Sequence, residues 1–163
     1  MDKLLELFRK EGVEFQLYEH EAVHTSEEAS RVRGVELKSG VKALLMKSAD
    51  GSYLLADLAA DRKVDIRRLQ DASKAKKLRL ASREEVISVT GCEPGSVHPF
   101  GGLFGLPTYL DLSVMENEFV NFNIGLLTRS VKIRREDLVR LLGATEAEFA
   151  KESAGRPSGP STS

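Results

Sequence analysis

The sequence predicts a single mixed α+β domain, and three observations lead to this fold class. The length of 163 residues fits one compact domain. The 41% hydrophobic content predicts a packed core rather than a disordered chain. Hairpin strands and short helices follow one another without regular alternation, which favours an α+β arrangement. We expect residues 1–152 to form the domain and residues 153–163, rich in Ser, Gly and Pro, to form a flexible tail.

The first half of the chain is predicted to form two helices and three strands. Apolar residues at helical spacing and capping boxes indicate the helices, and alternation of polar and apolar residues or short apolar runs indicate the strands. The elements are a helix ending at Gly12, a strand over 14–19, a helix from Thr25 to Gly34, and strands over 40–48 and 53–59. The last two strands should pair as a hairpin, because Asp50-Gly51 between them favours a tight turn.

The second half is predicted to contain four more helices, three strands and one long loop. The elements are a helix capped by Asp65, a helix from Ser82 to Gly91, a loop over 92–107, strands over 108–112, 119–124 and 130–133, a helix over 136–142, and a short helix opened by a capping box at Thr145 and Glu148. The long loop holds four glycines and three prolines. Its apolar side chains indicate that it packs against the domain.

Charge and cysteine content restrict the function classes. The 24 Lys and Arg against 25 Asp and Glu argue against coating of nucleic acid by bulk charge, although a local basic patch is allowed. The single cysteine, Cys92, excludes an internal disulfide and a multi-cysteine zinc site. No apolar stretch is long enough to cross a bilayer and no secretory signal is evident, so we expect a cytoplasmic protein without a membrane partner.

A zinc-protease pattern occurs at His20-Glu21-Ala22-Val23-His24. That chemistry needs both histidines on one helix face, with the glutamate beside a metal-bound water. Here they fall between a predicted strand and the helix capped at Thr25, so we favour a surface turn and expect no metal.

The glycine-rich segment 101–105 is not followed by Gly-Lys-Ser/Thr, so phosphate cradling is disfavoured. Two interpretations stay open, a plain turn-rich loop and a loop whose backbone N–H groups face a ligand. Ser96 and His98 near Cys92 suggest a nucleophile, but the sequence shows no third orienting group.

Lys42 lies in an apolar strand, on the same predicted face as Leu44 and Met46. It is either a fixed cation at a pocket or a lysine extending from a strand end.

Basic residues concentrate in two places, each a solvated face or a phosphate track. One comprises Arg67, Arg68, Lys74, Lys76, Lys77 and Arg79, and the other Arg129, Lys132, Arg134 and Arg135.

Four segments together resemble the YbaK/ProX family of aminoacyl-tRNA editing domains. They are Gly40-Val41-Lys42-Ala43-Leu44, Leu80-Ala81-Ser82-Arg83-Glu84-Glu85-Val86, the segment 90–101 and Phe122-Asn123-Ile124-Gly125. Segment 90–101 carries the family's Gly-x-x-x-Pro motif as Gly95-Ser96-Val97-His98-Pro99. His98 and Ala43 depart from the residues that many members have at these positions.

The resemblance implies a barrel-like sheet wrapped by helices and a trans-editing deacylase that cleaves mischarged tRNA with water, helped by the substrate's ribose hydroxyl and without a cofactor. The implied catalytic residues are Lys42, Gly95 and Gly101. The implied substrate contacts are Ser96, Val97, His98, Pro99, Phe100, Gly102, Asn123 and Gly125. For tRNA binding we expect Lys74, Lys76, Lys77 and Arg79.

The expected partners are aminoacyl-tRNA and an aminoacyl-tRNA synthetase, with no DNA. The expected amino acid is small, with serine, threonine, alanine and cysteine all open. Two alternatives are a non-catalytic tRNA-binding or synthetase-associated module and a metallohydrolase that uses His20 and His24.

Overall fold

The computed structural model describes residues 2–19 and 39–151. The helices are α1 (Asp2–Lys10), α2 (Ile66–Ser73), α3 (Arg83–Thr90) and α4 (Arg135–Leu142). The strands are β1 (Gln16–Glu19), β2 (Val41–Lys47), β3 (Tyr53–Ala59), β4 (Arg79–Leu80), β5 (Thr108–Asp111), β6 (Phe119–Asn123), β7 (Arg129–Arg134) and β8 (Thr145–Ala147). Single 3-10 turns cover Gly101–Phe104 and Leu112–Glu116.

The strands form two sheets. One has the order β1-β7-β6 and is antiparallel, and the other has the order β4-β2-β3-β5-β8, with β5 parallel to β3 and to β8. A parallel bridge between Gly40 and Asn121 connects the start of β2 to β6. The α+β class is therefore confirmed. A barrel-like sheet is not supported, because the described strands remain in two separate sheets.

Local sequence signals located most elements correctly. β2 and β3 pair from Val41 with Ala59 to Lys47 with Tyr53, which confirms the hairpin. The Ser82 hydroxyl accepts the Glu85 N–H and the Glu85 carboxylate accepts the Ser82 N–H, so the capping box of α3 is present.

The predicted last helix is wrong, since residues 145–147 form β8. A capping box is a local preference, and it is overridden here by pairing with β5 and by burial of the following residues. Phe149 is fully buried, and the N–H groups of Phe149 and Ala150 donate to the Asp111 carboxylate at 2.6 and 2.9 Å.

The core has three parts. The first joins the three-stranded sheet to α1 and α4 and includes Phe8, Phe122 and Leu138. The second packs α2 against one face of the hairpin and includes Met46, Leu58 and Leu69. The third joins the other hairpin face to α3 and the 92–107 loop through Leu45, Leu55, Val86 and Val97, as the apolar residues of that loop led us to expect.

Some sequence-based expectations lie outside the described residues, namely the helix from Thr25, His20 and His24, and the tail over 153–163. No helix in the described ranges is long and apolar enough to span a bilayer. Within 2–19 and 39–151, no group of three His, Cys, Asp or Glu side chains is placed to hold a metal ion.

Candidate functional site

Lys42 is the second residue of β2, and strand alternation puts it on the side of Leu44 and Met46, as predicted. Its side chain is half-buried. Burial lowers the pKa of the Lys42 ammonium from its usual 10.5, Asp61 opposes this shift and Lys63 adds to it. Lys42 is therefore an incompletely hydrated cation with a carboxylate nearby.

The same surface continues onto β6 through the bridge between Gly40 and Asn121. Residues bridged in parallel share a face, so alternation places Lys42, Asn121 and Asn123 on one side, which we call the outer face. Asn121 donates from Nδ2 to the Ser39 hydroxyl at 3.0 Å. The Oδ1 atoms of Asn121 and Asn123 are buried and accept no hydrogen bond from the residues that the structure describes. Two buried acceptors are thus available on this face.

The glycine-proline loop meets β6 at the end of the outer face. Asn123 donates from Nδ2 to the Gly95 carbonyl at 2.7 Å, and the Gly125 N–H donates to the Ser96 carbonyl at 2.7 Å. Gly95 has φ of +91°, a conformation that disfavours any residue with a side chain. Four of the predicted site residues, Gly95, Ser96, Asn123 and Gly125, are therefore in direct contact.

From Val97 onward the loop turns to the opposite side of the hairpin, which carries Leu45 and Leu55 and which we call the inner face. A Cβ at Gly101 would overlap the Thr108 hydroxyl and lie 3.3 Å from the Leu55 Cβ. Only glycine fits this approach. Gly101 therefore lies on the inner face, and the structure does not place it on the same face as Lys42.

The loop residues predicted to contact substrate differ in exposure. Five consecutive residues are buried, four from the Gly-x-x-x-Pro motif and the one after it: Ser96, Val97, His98, Pro99 and Phe100. Gly102 is exposed, whereas Asn123 and Gly125 are half-buried. The buried side chains shape the loop from within.

His98 holds the loop in place. Its Nδ1 accepts the Phe100 N–H at 3.1 Å, and its ring stacks on Phe104 with centroids 4.6 Å apart. Burial lowers the pKa of His98 to about 4, so the ring is neutral near pH 7 and carries its proton on Nε2. The Phe100 ring in turn packs against the rings of Phe8 and Phe122, with centroid distances of 5.6 and 6.0 Å.

The loop side chains do not form a nucleophile pair. The Ser96 hydroxyl is buried and donates to the Glu93 carbonyl at 2.7 Å. The Cys92 thiol faces the Thr90 carbonyl at 3.5 Å. The Nδ1 atom of His98 accepts the Phe100 backbone N–H, so it does not serve as a base for either side chain.

The predicted tRNA-binding lysines lie on the turn between α2 and β4. Lys74, Lys76 and Lys77 are exposed and form no ion pair within the described ranges. Arg79 differs, because it donates to both Glu85 oxygens at 2.9 and 3.0 Å. The turn is tied to the hairpin by the Ala49 N–H, which donates to the Lys76 carbonyl at 2.9 Å.

A groove of about 450 Å³ lies beside this turn. Lys74 and Lys76 line it together with Ser48, Ser52, Ser73 and Asp50, and the Asp50 carboxylate accepts hydrogen bonds from the Ser48 and Ser52 hydroxyls. Lysines and hydroxyls are common phosphate contacts. One of the two clusters of basic residues, the one that includes Lys74 and Lys76, therefore borders a concave surface.

Asp57 was missed in the sequence analysis. It lies on β3 opposite Ala43, on the inner face, and is fully buried. Neither carboxylate oxygen has a hydrogen-bond partner within residues 2–19 and 39–151, and burial raises the pKa of Asp57 well above its usual 3.8. The available signal was a single acidic residue that interrupts the apolar run of β3. Asn121 was missed too, and its only signal was a polar residue alternating with Phe122.

The model of the aminoacyl-tRNA editing domain matches residues 20–153. The chain belongs to this family. The resemblance to the YbaK/ProX family is thereby confirmed.

Individual relatives agree with this family assignment. The chain is 34% identical over 143 residues to the multifunctional Ser/Thr-tRNA deacylase ProXp-y of Escherichia coli, covering 85% of this chain and 86% of the relative. A crystal structure described as a proposed trans-editing enzyme for prolyl-tRNA synthetase superposes with a TM-score of 0.76 at 27% identity, covering 85% of this chain and 87% of the other. A crystal structure of a hypothetical protein has a TM-score of 0.83 at 22% identity over 91% of this chain and 99% of the other, which shows a shared fold.

Proposed function

We propose that this editing-domain protein is a trans-editing deacylase, which hydrolyses the ester bond of tRNA mischarged with a small amino acid. The contact between Asn123 and Gly95, on the same face as Lys42, carries the proposal. It joins two of the residues that the family resemblance implicates, on the face that carries the third, Lys42, although all three are far apart in the sequence. The Ser/Thr-tRNA deacylase relative supports the reaction and the size of the amino acid.

An aminoacyl ester is already reactive, so the site needs to position the ester and a water and to stabilise the developing oxyanion. A protein nucleophile is not required for this. We assign the water as nucleophile and the ribose hydroxyl of the terminal adenosine as the group that helps to activate it. This agrees with the engagement of the Ser96 hydroxyl by a backbone carbonyl.

Lys42 would bind the terminal phosphate or the acyl end of the substrate. A half-buried ammonium acts more strongly on an anion than one in bulk water, because the surrounding dielectric is lower. Asp61 limits the fall in the pKa of Lys42 and so favours the charged form.

The buried acceptors on the outer face suit the rest of the substrate. The Oδ1 atoms of Asn121 and Asn123 can accept hydrogen bonds from ribose hydroxyls or from the substrate's ammonium group. Within the loop, the N–H groups of Ser96, Phe100 and Gly101 are already bonded to loop atoms. Because the loop turns to the inner face from Val97 onward, we assign contacts with the ester to the backbone at Gly95, where the loop reaches the outer face.

The choice among small amino acids would depend on the volume left beside the loop. Side chains that differ by one methylene are separated by only about 10- to 200-fold in an apolar pocket. Serine, threonine, alanine and cysteine therefore all belong in the first test.

The test is release of free amino acid from a panel of tRNAs mischarged with these four residues. A deacylase releases amino acid with turnover from at least one of them. A non-catalytic tRNA-binding or synthetase-associated module binds tRNA and releases none. A metallohydrolase using His20 and His24 would contain stoichiometric zinc and lose activity in a chelator.

We further propose that aminoacyl-tRNA docks through Lys74, Lys76 and Lys77, with phosphates in the adjoining groove. Arg79 would contribute less, because Glu85 already holds it. Charge reversal of the three lysines should weaken tRNA binding and flatten its salt dependence, by about 0.7 to 0.9 in log-log slope for each lost phosphate contact.

The matched control reverses Lys3, Arg9 and Lys10, three exposed cations on α1. It changes the net charge equally at a different place. Equal loss of affinity in both triple variants would show bulk charge rather than docking. The trans-editing relative also favours a synthetase as a second partner.

A further inference from the structure

A second groove, far along β6 from the Gly95 contact, combines an aromatic ring with two cations. The Phe119 ring is 37% exposed. The Lys132 Nζ lies 5.0 Å and the Arg134 Cζ 5.2 Å from its centroid. The groove has a volume of about 390 Å³. Its lining consists of Glu14, Phe15, Gln16, Phe119, Lys132, Ile133 and Arg134.

Core packing does not require an aromatic residue at this position. Val120 and Phe122, on the opposite face of β6, are buried in the core, whereas Phe119 projects from the outer face. An exposed ring that two cations approach is instead a common arrangement for binding a planar or anionic ligand.

The charges around the ring differ in availability. Arg134 has an exposed ion pair with Glu118 at 3.7 Å, and Glu14 lines the groove. Lys132 makes no ion pair with any residue in the described ranges. Lys132 is therefore the cation most available to an incoming anion.

The position of the groove limits what can occupy it. Phe119 and Asn123 are four residues apart on one strand and share the outer face, so they are separated by about 13 Å. Asn123 contacts Gly95, where we place the ester. A ligand in the groove that is joined to the ester must therefore be an extended strand reaching along β6.

We propose that the groove binds an unpaired nucleotide upstream of the esterified adenosine, at the single-stranded 3′ end of the tRNA. Its base stacks on Phe119, and its phosphate lies beside Lys132 and Arg134. Stacking of this kind tolerates any base, because every base has a π face. This inference rests on the proposed deacylase function and adds a site for the strand that carries the ester.

The experiment compares two substrates that share the ester and differ in the upstream strand, aminoacyl-tRNA and 3′-aminoacyl-adenosine. Phe119→Ala should lower kcat/KM for aminoacyl-tRNA by roughly 10- to 100-fold. It should leave kcat/KM for the adenosine ester unchanged. Phe119→Trp should retain activity on tRNA, because it restores a ring for stacking, whereas Phe119→Leu should not.

Lys132→Glu should also lower kcat/KM for aminoacyl-tRNA alone and should reduce its salt dependence. The matched control is Leu112→Ala, which removes an exposed apolar side chain on another part of the surface and should change neither substrate. Thermal melting of each variant reports whether the fold is retained.

Two results would overturn the inference: equal effects of Phe119→Ala on both substrates, or full activity of this variant on aminoacyl-tRNA. A wild-type protein that cleaves neither ester would instead contradict the proposed function. In that case the groove is still tested by binding of a labelled single-stranded RNA ending in adenosine. Wild-type binding that Phe119→Ala weakens supports the groove, and equal binding refutes it.

Discussion

The two faces of the β2–β3 hairpin give ionisable side chains different surroundings. Lys42 on the outer face is half-buried, with Asp61 and Lys63 close enough to affect its pKa. Asp57 on the inner face, diagonal to Lys42 across the strand pair, is fully buried and has no hydrogen-bond partner in the described part of the chain. The charged form is favoured where a partner or solvent offsets desolvation, and burial without either favours the neutral form of a carboxyl. The part of the outer face around Lys42, at the start of β2, is therefore suited to binding an anionic substrate, whereas the rest of that face packs against α2 and the inner face holds the loop.

The largest expected effect concerns the outer face. Lys42→Ala should lower kcat/KM for deacylation by at least roughly 100-fold, because it removes a positioned cation from the ester site. The matched control is Lys47→Ala, a second lysine of the same strand, which pairs with Glu85 and lies outside the proposed site. Full activity in a Lys42→Ala variant with a wild-type melting temperature would remove the role assigned to this side chain.

The second-largest expected effect concerns His98 on the inner face and is measured as the pH dependence of the free energy of unfolding. His98 takes up a proton near pH 6.5 in the unfolded chain but only at about pH 4 in the folded protein. The contribution of neutral His98 to the free energy of unfolding is therefore complete above pH 6.5 and is lost as the pH falls to about 4. The loss should amount to roughly 3 kcal/mol, measured by denaturant unfolding at a series of pH values.

In His98→Asn this part of the pH dependence should disappear. An unchanged profile in the variant would show that other groups titrate in this range and that His98 is not the buried imidazole responsible.

A third prediction tests the close approach of the loop to the inner face. Gly101→Ala should lower the free energy of unfolding by about 1 to 3 kcal/mol, because its methyl group would overlap the Thr108 hydroxyl. Deacylation should fall with it, since the loop must move. Gly102→Ala is the matched control, as a Cβ there meets no atom within 4 Å. Equal stability of the two variants would contradict this account of Gly101.

The smallest expected effect again concerns Asp57. The pKa of Asp57 is raised in the folded protein. Its contribution to the stability of the fold is therefore fully favourable below the pKa of the unfolded chain, and it is lost as the pH rises toward the pKa of the folded protein. Asp57→Asn removes this ionisation. It should stabilise the protein at pH 7 and raise its melting temperature, because the variant has no buried carboxyl whose ionisation favours the unfolded chain.

The gain from Asp57→Asn should vanish at pH 3, where the wild-type carboxyl is protonated in both states. Destabilisation at pH 7 would instead show that the carboxyl makes a favourable interaction.

The sequence was most informative where a structure depends on neighbouring residues. Asp50-Gly51 predicted the hairpin turn, the Ser82 capping box predicted α3, and alternation predicted the face of Lys42. The same reasoning failed at Thr145, where a helix-capping pattern lies in a strand. There the edge of β5 supplies backbone partners that no local pattern reveals.

The sequence by itself determined the family, the α+β class and the candidate residues, because motifs, caps and periodicity are written in short stretches of chain. Tertiary structure alone decided which candidates meet. Asn123 reaches the Gly95 carbonyl across 28 residues, while Gly101 turns to the inner face and Asp57 becomes buried opposite Ala43. These contacts depend on how the two sheets pack, and packing is set by the whole chain at once.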